Sequence, residues 1–192
     1  MNTVEFWRGD FGKDYLQRNQ PDYRARVPFW THILEQTGAS SFLDVGCNAG
    51  WNLEALRHIS EEYVMSGIDV NREALDRAQT KGFDVHEGRA DEIVTRFGPG
   101  AAEMVITSGV LIHIAPEDLT ATMQAIVDVS SHWVVAVEYE SDPAREILYR
   151  GHTGKCWARP YGRLYEALGL SIVEYGEAQG FDKCQFVLLE KT

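Results

Sequence analysis

Apolar and polar positions change their spacing repeatedly along this chain. "SSFLDVG", "YVMSGIDV", "FDVHEG", "AAEMVITSG" and "HWVVAVEYE" are apolar runs of strand length. Between them, "WNLEALRHI", "NREALDRAQTKG" and "PEDLTATMQAIVDVS" place apolar residues at helical spacing. Asn71 is a predicted N-cap, and Pro116 suits a first helical turn. A helix near Arg159 to Leu168 follows, then the strands "LSIVEYGE" and "KCQFVLLEK" with the short link "AQGFD". This alternation predicts an α/β fold whose largely parallel sheet is covered on both faces. The short link predicts that the last two strands pair antiparallel at the end of the sheet. Ahead of this core, Phe6, Trp7, Phe11 and Tyr15 mark a helical, aromatic segment that breaks at Pro21. A second helix is expected around Phe29 to Gln36, with Gly38 as its stop. The expected organisation is a single domain, with a helical cap over 1–37 and the α/β core over 38–192.

Composition narrows the function classes. The chain carries 18 basic and 29 acidic side chains, a formal charge of −11. That balance opposes long-range attraction to nucleic acid, whose binding rests on neutralising phosphates. No apolar run is long enough to span a bilayer, and "MNTVEFWRGDFGKDY" lacks the pattern of a signal peptide. The C-terminal "EKT" is read as leaving no room for an added recognition domain. Cys47, Cys156 and Cys184 are widely spaced and form no metal-ligand pattern, so no metal and a reducing, cytoplasmic location are expected.

In an open α/β sheet, ligands sit outside the carboxyl ends of the strands where strand order reverses. "FLDVGCNAGWNLEAL" places Asp44 at a strand end, Gly46 in the turn and Gly50 where a helix begins. The glycines admit positive φ and close approach of a ligand. The run from Gly46 is neither the dinucleotide fingerprint GxGxxG nor a Walker loop, which disfavours an oxidoreductase. An acid two residues before the glycine fits a ligand that is cationic near the loop. S-adenosylmethionine, with an ammonium and a sulfonium, is such a ligand. Asp69, ending the second strand, is placed to accept from both ribose hydroxyls, and Asp91, beyond the third, from an adenine amino group. A single acid at a strand end is ordinary turn chemistry; three at successive strand ends point to one adenosyl ligand.

With these residues assembled, the chain resembles the class I S-adenosylmethionine-dependent methyltransferases. More narrowly it resembles the methylase family associated with pseudaminic acid biosynthesis, through "FWRGDFGKDYLQRN", "DVGCNAGWNL", "SGVLIHIAPEDL" and "EYESDPAREILYRGH". The general class prefers glycine where this chain has Asn48, and the narrower family has asparagine there. The resemblance implies a Rossmann-like seven-stranded sheet with its last strand antiparallel. It implies cofactor contacts from the glycine loop with Asn48, from Asp69 and Asp91, and from the backbone near Ser108. It also implies that the N-terminal helices cover the cofactor, bringing Tyr15 and Asn19 near its methionine end, with S-adenosylhomocysteine as product. Phe6 and Phe11 suit packing; Trp7 suits packing and the cleft alike.

One segment stands apart. From Arg145 to Arg163 the chain gathers Arg145, Arg150, Lys155, Arg159 and Arg163 around Glu146 as the sole acid. It follows the fifth strand, so it is expected to border the acceptor half of the cleft. Arg150, His152 and Lys155 there suit an anionic small-molecule acceptor, such as an acidic sugar, an amino acid or a natural-product intermediate. Arg159 and Arg163, at helical spacing, read as a solvated face. Glu138 and Tyr139, ending the fifth strand, are expected to line the acceptor side. His113 and His152 are the candidate general bases, needed for a hydroxyl or amine acceptor and not for a carboxylate. The competing readings are methylation of a peptide terminus or carboxylate, and a non-catalytic cofactor- or partner-binding module. The acceptor's identity and the oligomeric state are not written in the sequence.

Overall fold

The computed structural model describes residues 2–192 of the chain. Its helices are α1 (Thr3–Arg8), α2 (Asp10–Arg18), α3 (Val27–Thr37), α4 (Trp51–Ile59), α5 (Arg72–Thr80), α6 (Ile93–Phe97), α7 (Pro116–Val129) and α8 (Tyr161–Glu166). Its strands are β1 (Ser41–Val45), β2 (Val64–Asp69), β3 (Asp84–Glu87), β4 (Ala102–Ser108), β5 (Ser130–Glu138), β6 (Arg145–Glu146), β7 (Trp157–Ala158), β8 (Leu170–Glu177) and β9 (Gln185–Lys191). Seven strands form one sheet in the order β3-β2-β1-β4-β5-β9-β8, and β6 pairs with β7 separately. The first five strands of the large sheet run parallel. The last strand, β9, lies antiparallel between β5 and β8. The fold is thus the Rossmann-like sheet the sequence pattern predicts, with the antiparallel strand inserted next to the edge strand.

Alternation along the strands feeds both faces of the sheet. Phe42, Met104, Ile106, Val135 and Val137 join Phe29, Trp30 and Ile33 of α3 on one side. Leu43, Val45, Val105, Val134 and Ala136 join Leu119, Met123 and Ile126 of α7 and Tyr161 and Tyr165 of α8 on the other. The helix signals sit where the sequence puts them. Asn71 accepts from the amides of Glu73 and Ala74 at 3.1 and 3.3 Å, and Gly38 stops α3 at φ 62°. Strand order reverses between β1 and β4, which opens a crevice at their carboxyl ends. Among the described residues no helix is long and apolar enough to cross a membrane.

Candidate functional site

The crevice between the ends of β1 and β4 is a cleft of about 1140 Å³, its open mouth included. The turn after β1 forms one wall. Its first amides, Gly46 N and Cys47 N, donate to Ile68 O at 2.7 and 3.0 Å. Gly46 sits at φ 72°, and a Cβ there would lie 2.3 Å from Val110 Cγ2. Asn48 follows at φ 50°, a region asparagine tolerates better than most residues. Asparagine can therefore stand where glycine is otherwise preferred. Gly46 and Asn48 line the cleft; Gly50 lies behind them, at φ 81° where α4 begins.

Asp69 and Asp91 stand in the same cleft from two further strand ends. Asp69 Oδ2 accepts from Asn48 N at 2.9 Å and Oδ1 from Asn71 N at 2.8 Å. With a further contact from Val70 N, these backbone donors still leave the carboxylate lone-pair capacity. Burial raises its pKa, against those backbone bonds. Asp91 is gripped by Arg89, Nε to Oδ1 at 2.8 Å and Nη2 to Oδ2 at 2.6 Å, which holds its carboxyl below the usual range. Ser108, ending β4, also lines the cleft. Asp44 does not reach it. The Asp44 carboxylate is buried, and Asn52 Nδ2 approaches both its oxygens at 3.3 Å. Burial pushes its pKa up to about 7, while Asn52 and Arg26 pull it down.

The N-terminal helices roof this cleft with Trp7, Tyr15 and Asn19. Gly12 lets α2 approach α1 this closely, since a Cβ there would lie 1.9 Å from Trp7 O. Arg26 also lines the cleft, a residue that no motif in the sequence singles out. Its Nη1 donates to Asn52 Oδ1 at 2.7 Å and its guanidinium stacks 4.3 Å from the Phe181 ring centre. Its Nε, like Trp7 Nε1, is buried with no partner. Both side chains line the cleft, so two buried donors await an acceptor that the chain itself does not supply.

His113 closes the opposite wall. Its Nδ1 lies 2.6 Å from Lys155 O. A carbonyl only accepts, so Nδ1 carries the hydrogen and Nε2 the lone pair. Burial lowers its pKa to about 4. The folded value is below the ordinary 6.5, so the stability this confers is present above pH 6.5 and is lost as pH falls toward 4. We predict that the wild type loses up to about 3 kcal/mol relative to His113→Asn across that interval. Urea titrations of both proteins at several pH values check this; parallel profiles would contradict it.

Glu138 differs from its expected place on the acceptor side. It is buried beneath the turn after β4 and accepts from Val110 N, Leu111 N and Ile112 N at 3.1–3.2 Å. Burial pushes its pKa up to about 7 despite those three donors. Its role there is to hold the turn that carries Val110 and His113. Tyr139 is half-buried against the core beside β5 and does not line the cleft.

The basic segment is a β-hairpin. Ile147 N donates to Cys156 O, and Tyr149 and His152 exchange both backbone bonds at 2.9–3.0 Å. The two turn residues, Arg150 and Gly151, both have positive φ, 48° and 83°, as a type I′ turn requires. Arg150 is exposed at the tip. None of Arg150, His152 and Lys155 lines the cleft. His152 packs edge-on against Phe6 and Phe11, at 5.0 and 5.5 Å, and Lys155 Nζ lies 5.3 Å over the Phe6 ring. His152 and Lys155, expected to face a substrate, therefore dock the N-terminal helices onto the hairpin. Arg159 is a second correction. It is buried, and it donates to Leu111 O and Ile114 O at 2.8 and 2.7 Å. Arg163 is exposed beside Asp142, as its spacing predicts.

Residues 42–132 match a family described as a methyltransferase domain. No curated protein sequence matches the chain. Among solved structures, the magnesium protoporphyrin IX methyltransferase ChlM from Synechocystis PCC 6803, crystallised with bound SAH, superposes with TM-score 0.73 at 15% identity, covering 98% of each chain. The sugar N-methyltransferase KedS8 from Streptoalloteichus sp ATCC 53650 gives 0.71 at 14%, covering 95% of this chain and 93% of its own. The 1,6-didemethyltoxoflavin-N1-methyltransferase of Burkholderia thailandensis gives 0.71 at 16%, covering 96% and 87%. The domain match spans residues 42–132, and the shared fold extends over nearly the whole chain.

Proposed function

We propose that this chain transfers a methyl group from S-adenosylmethionine to a small molecule, with the cleft at the ends of β1 to β4 as its active site. The observation that carries this reading is convergence. Gly46 and Asn48 after β1, Asp69 ending β2 and Asp91 after β3 all line one cleft. Asp69 would accept from the ribose hydroxyls and Asp91 from the adenine amino group. Tyr15, Asn19 and Arg26 would meet the methionine end, where the unpartnered Arg26 Nε–H fits a carboxylate. Asp44 acts at one remove, by fixing Asn52 and through it Arg26. Once bound, the cofactor supplies an electrophilic methyl group on a positively charged sulfur. The chain's part is to align an acceptor atom with that methyl and to exclude water. α1 and α2 serve the second task as a cap on the domain.

The solved enzymes named above act on a porphyrin, a sugar and a toxoflavin precursor, all small molecules. The finer reading is an acceptor with an anionic group at its far end, met by Arg150 at the exposed hairpin tip. The hairpin and "FWRGDFGKDYLQRN" also carry the likeness to the family associated with pseudaminic acid biosynthesis, a name that records a pathway and not an acceptor. The free thiols of Cys47, Cys156 and Cys184 fit a reducing, cytoplasmic setting.

The test is incubation with methyl-labelled S-adenosylmethionine and a small-metabolite extract. Label is expected in the small-molecule fraction; label in protein or peptide favours a peptide acceptor, and none at all in any fraction favours a non-catalytic module. With the labelled compound identified, Arg150→Met is expected to raise its Michaelis constant about tenfold with little change in turnover. Unchanged kinetics would remove the anionic group from the proposal.

A further inference from the structure

We infer that the atom methylated is a hydroxyl oxygen, held between the Trp7 Nε1–H donor and the free Nε2 of His113. The inference rests on the methyl-transfer reading and deepens it. Both rings line the cleft, and their centres are 4.6 Å apart. Trp7 Nε1 is buried without a partner. Such a donor is costly unless a ligand accepts from it. His113 spends Nδ1–H on Lys155 O, so the ring has only an acceptor left to offer. Burial lowers the pKa of His113, which keeps the imidazole neutral near pH 7. Neither ring then brings a formal charge. Thr3, Val4 and Ile114 also line the cleft without adding a charge, and Asp118 adds a carboxylate, which disfavours an anionic group next to it. Of the cations that line it, Arg89 is engaged with Asp91, and Arg26 donates to Asn52 and keeps its Nε–H for the carboxylate at the cofactor's methionine end.

A single donor facing a single acceptor selects among acceptor chemistries. A hydroxyl has one hydrogen and two lone pairs. The hydrogen goes to His113 Nε2, one pair accepts from Trp7 Nε1–H, and the other pair attacks the methyl carbon. A neutral amine has one lone pair; committing it to the methyl carbon leaves Trp7 unpartnered. A carboxylate has no hydrogen and would set its own lone pair against that of Nε2. In the step itself the O–CH₃ bond forms as the S–CH₃ bond breaks. The electron pair of the broken bond stays on sulfur, and the hydroxyl proton passes to His113 Nε2. The product is a methyl ether.

The experiment begins with the label transferred from methyl-labelled S-adenosylmethionine into a small-metabolite extract, with S-adenosylhomocysteine affinity measured in parallel by calorimetry. The expected label is stable to mild alkali and sits on a neutral ether oxygen. Trp7→Phe keeps a ring in place; it is expected to lower transfer about tenfold while leaving S-adenosylhomocysteine affinity near wild type. In nitrogen-labelled protein loaded with S-adenosylhomocysteine, the indole N–H signal absent from Trp7→Phe is expected to shift downfield when the identified hydroxyl compound is added. Label released as methanol by mild alkali, label on an amine, or wild-type transfer by Trp7→Phe overturns the inference. So does failure to label any hydroxyl compound while S-adenosylhomocysteine binds. Failure of the wild type to bind S-adenosylhomocysteine overturns the methyl-transfer reading itself.

Discussion

Gly46→Val abolishes S-adenosylhomocysteine binding, as we expect calorimetry to record. Two costs act at this position. A left-handed φ of 72° is unfavourable for a residue with a Cβ by about 1–2 kcal/mol, and β-branching makes it worse. The added Cβ would also lie 2.3 Å from Val110 Cγ2, and overpacking typically costs about 1–3 kcal/mol more. Both are relieved by moving the turn. The amides of Gly46, Cys47 and Asn48 then lose their places on Ile68 O and Asp69 Oδ2, which also position the Asp69 carboxylate. Binding is lost because the wall of the cleft shifts, even in protein that stays folded. Circular dichroism establishes folding in the same sample. Wild-type affinity in a folded Gly46→Val would mean that this turn does not border the ligand.

Glu138→Ala is expected to lose about 3 kcal/mol or more of folding stability. The carboxylate is the acceptor for three successive amides, from Val110 to Ile112, and hydrogen bonds to a charged group contribute about 1.5–3 kcal/mol each. Alanine leaves buried donors with nothing to replace the lost acceptor. Urea titration should show a lower midpoint with an unchanged slope. Methyl transfer should fall as well, since the same turn delivers His113 to the cleft. A loss under about 1 kcal/mol would mean that the turn finds other partners and that Glu138 is free for another task.

The elements that position the site were legible because each has a local cause. Asn71 caps α5 and Gly38 ends α3 through backbone chemistry that a short window contains. Asp69 and Asp91 were legible because strand ends in a parallel sheet converge on one edge. The hairpin was not. An Arg-Gly turn is an uncommon type I′ pair, since arginine seldom accepts positive φ, so "YRGH" gave no hairpin signal. Arg159 was misread for a related reason. Its spacing to Arg163 implied one helical face, but α8 begins at Tyr161 and leaves Arg159 outside the helix, aimed at the carbonyls of Leu111 and Ile114. Arg26 was invisible because its partner Asn52 lies in another element, 26 residues away. Glu138 ends a strand like Asp69, yet the amides of the neighbouring turn claim it, and strand position alone does not distinguish the two.

We propose that this cleft holds an adenosyl cofactor on Asp69. Titration of S-adenosylhomocysteine into the wild type and Asp69→Ala, with circular dichroism and thermal unfolding on both, tests it most directly. One site per chain is expected in the wild type, and an affinity weaker by about 1–3 kcal/mol, roughly 5- to 150-fold, in a folded Asp69→Ala. No binding to the wild type, or equal affinity in the two proteins, would contradict it.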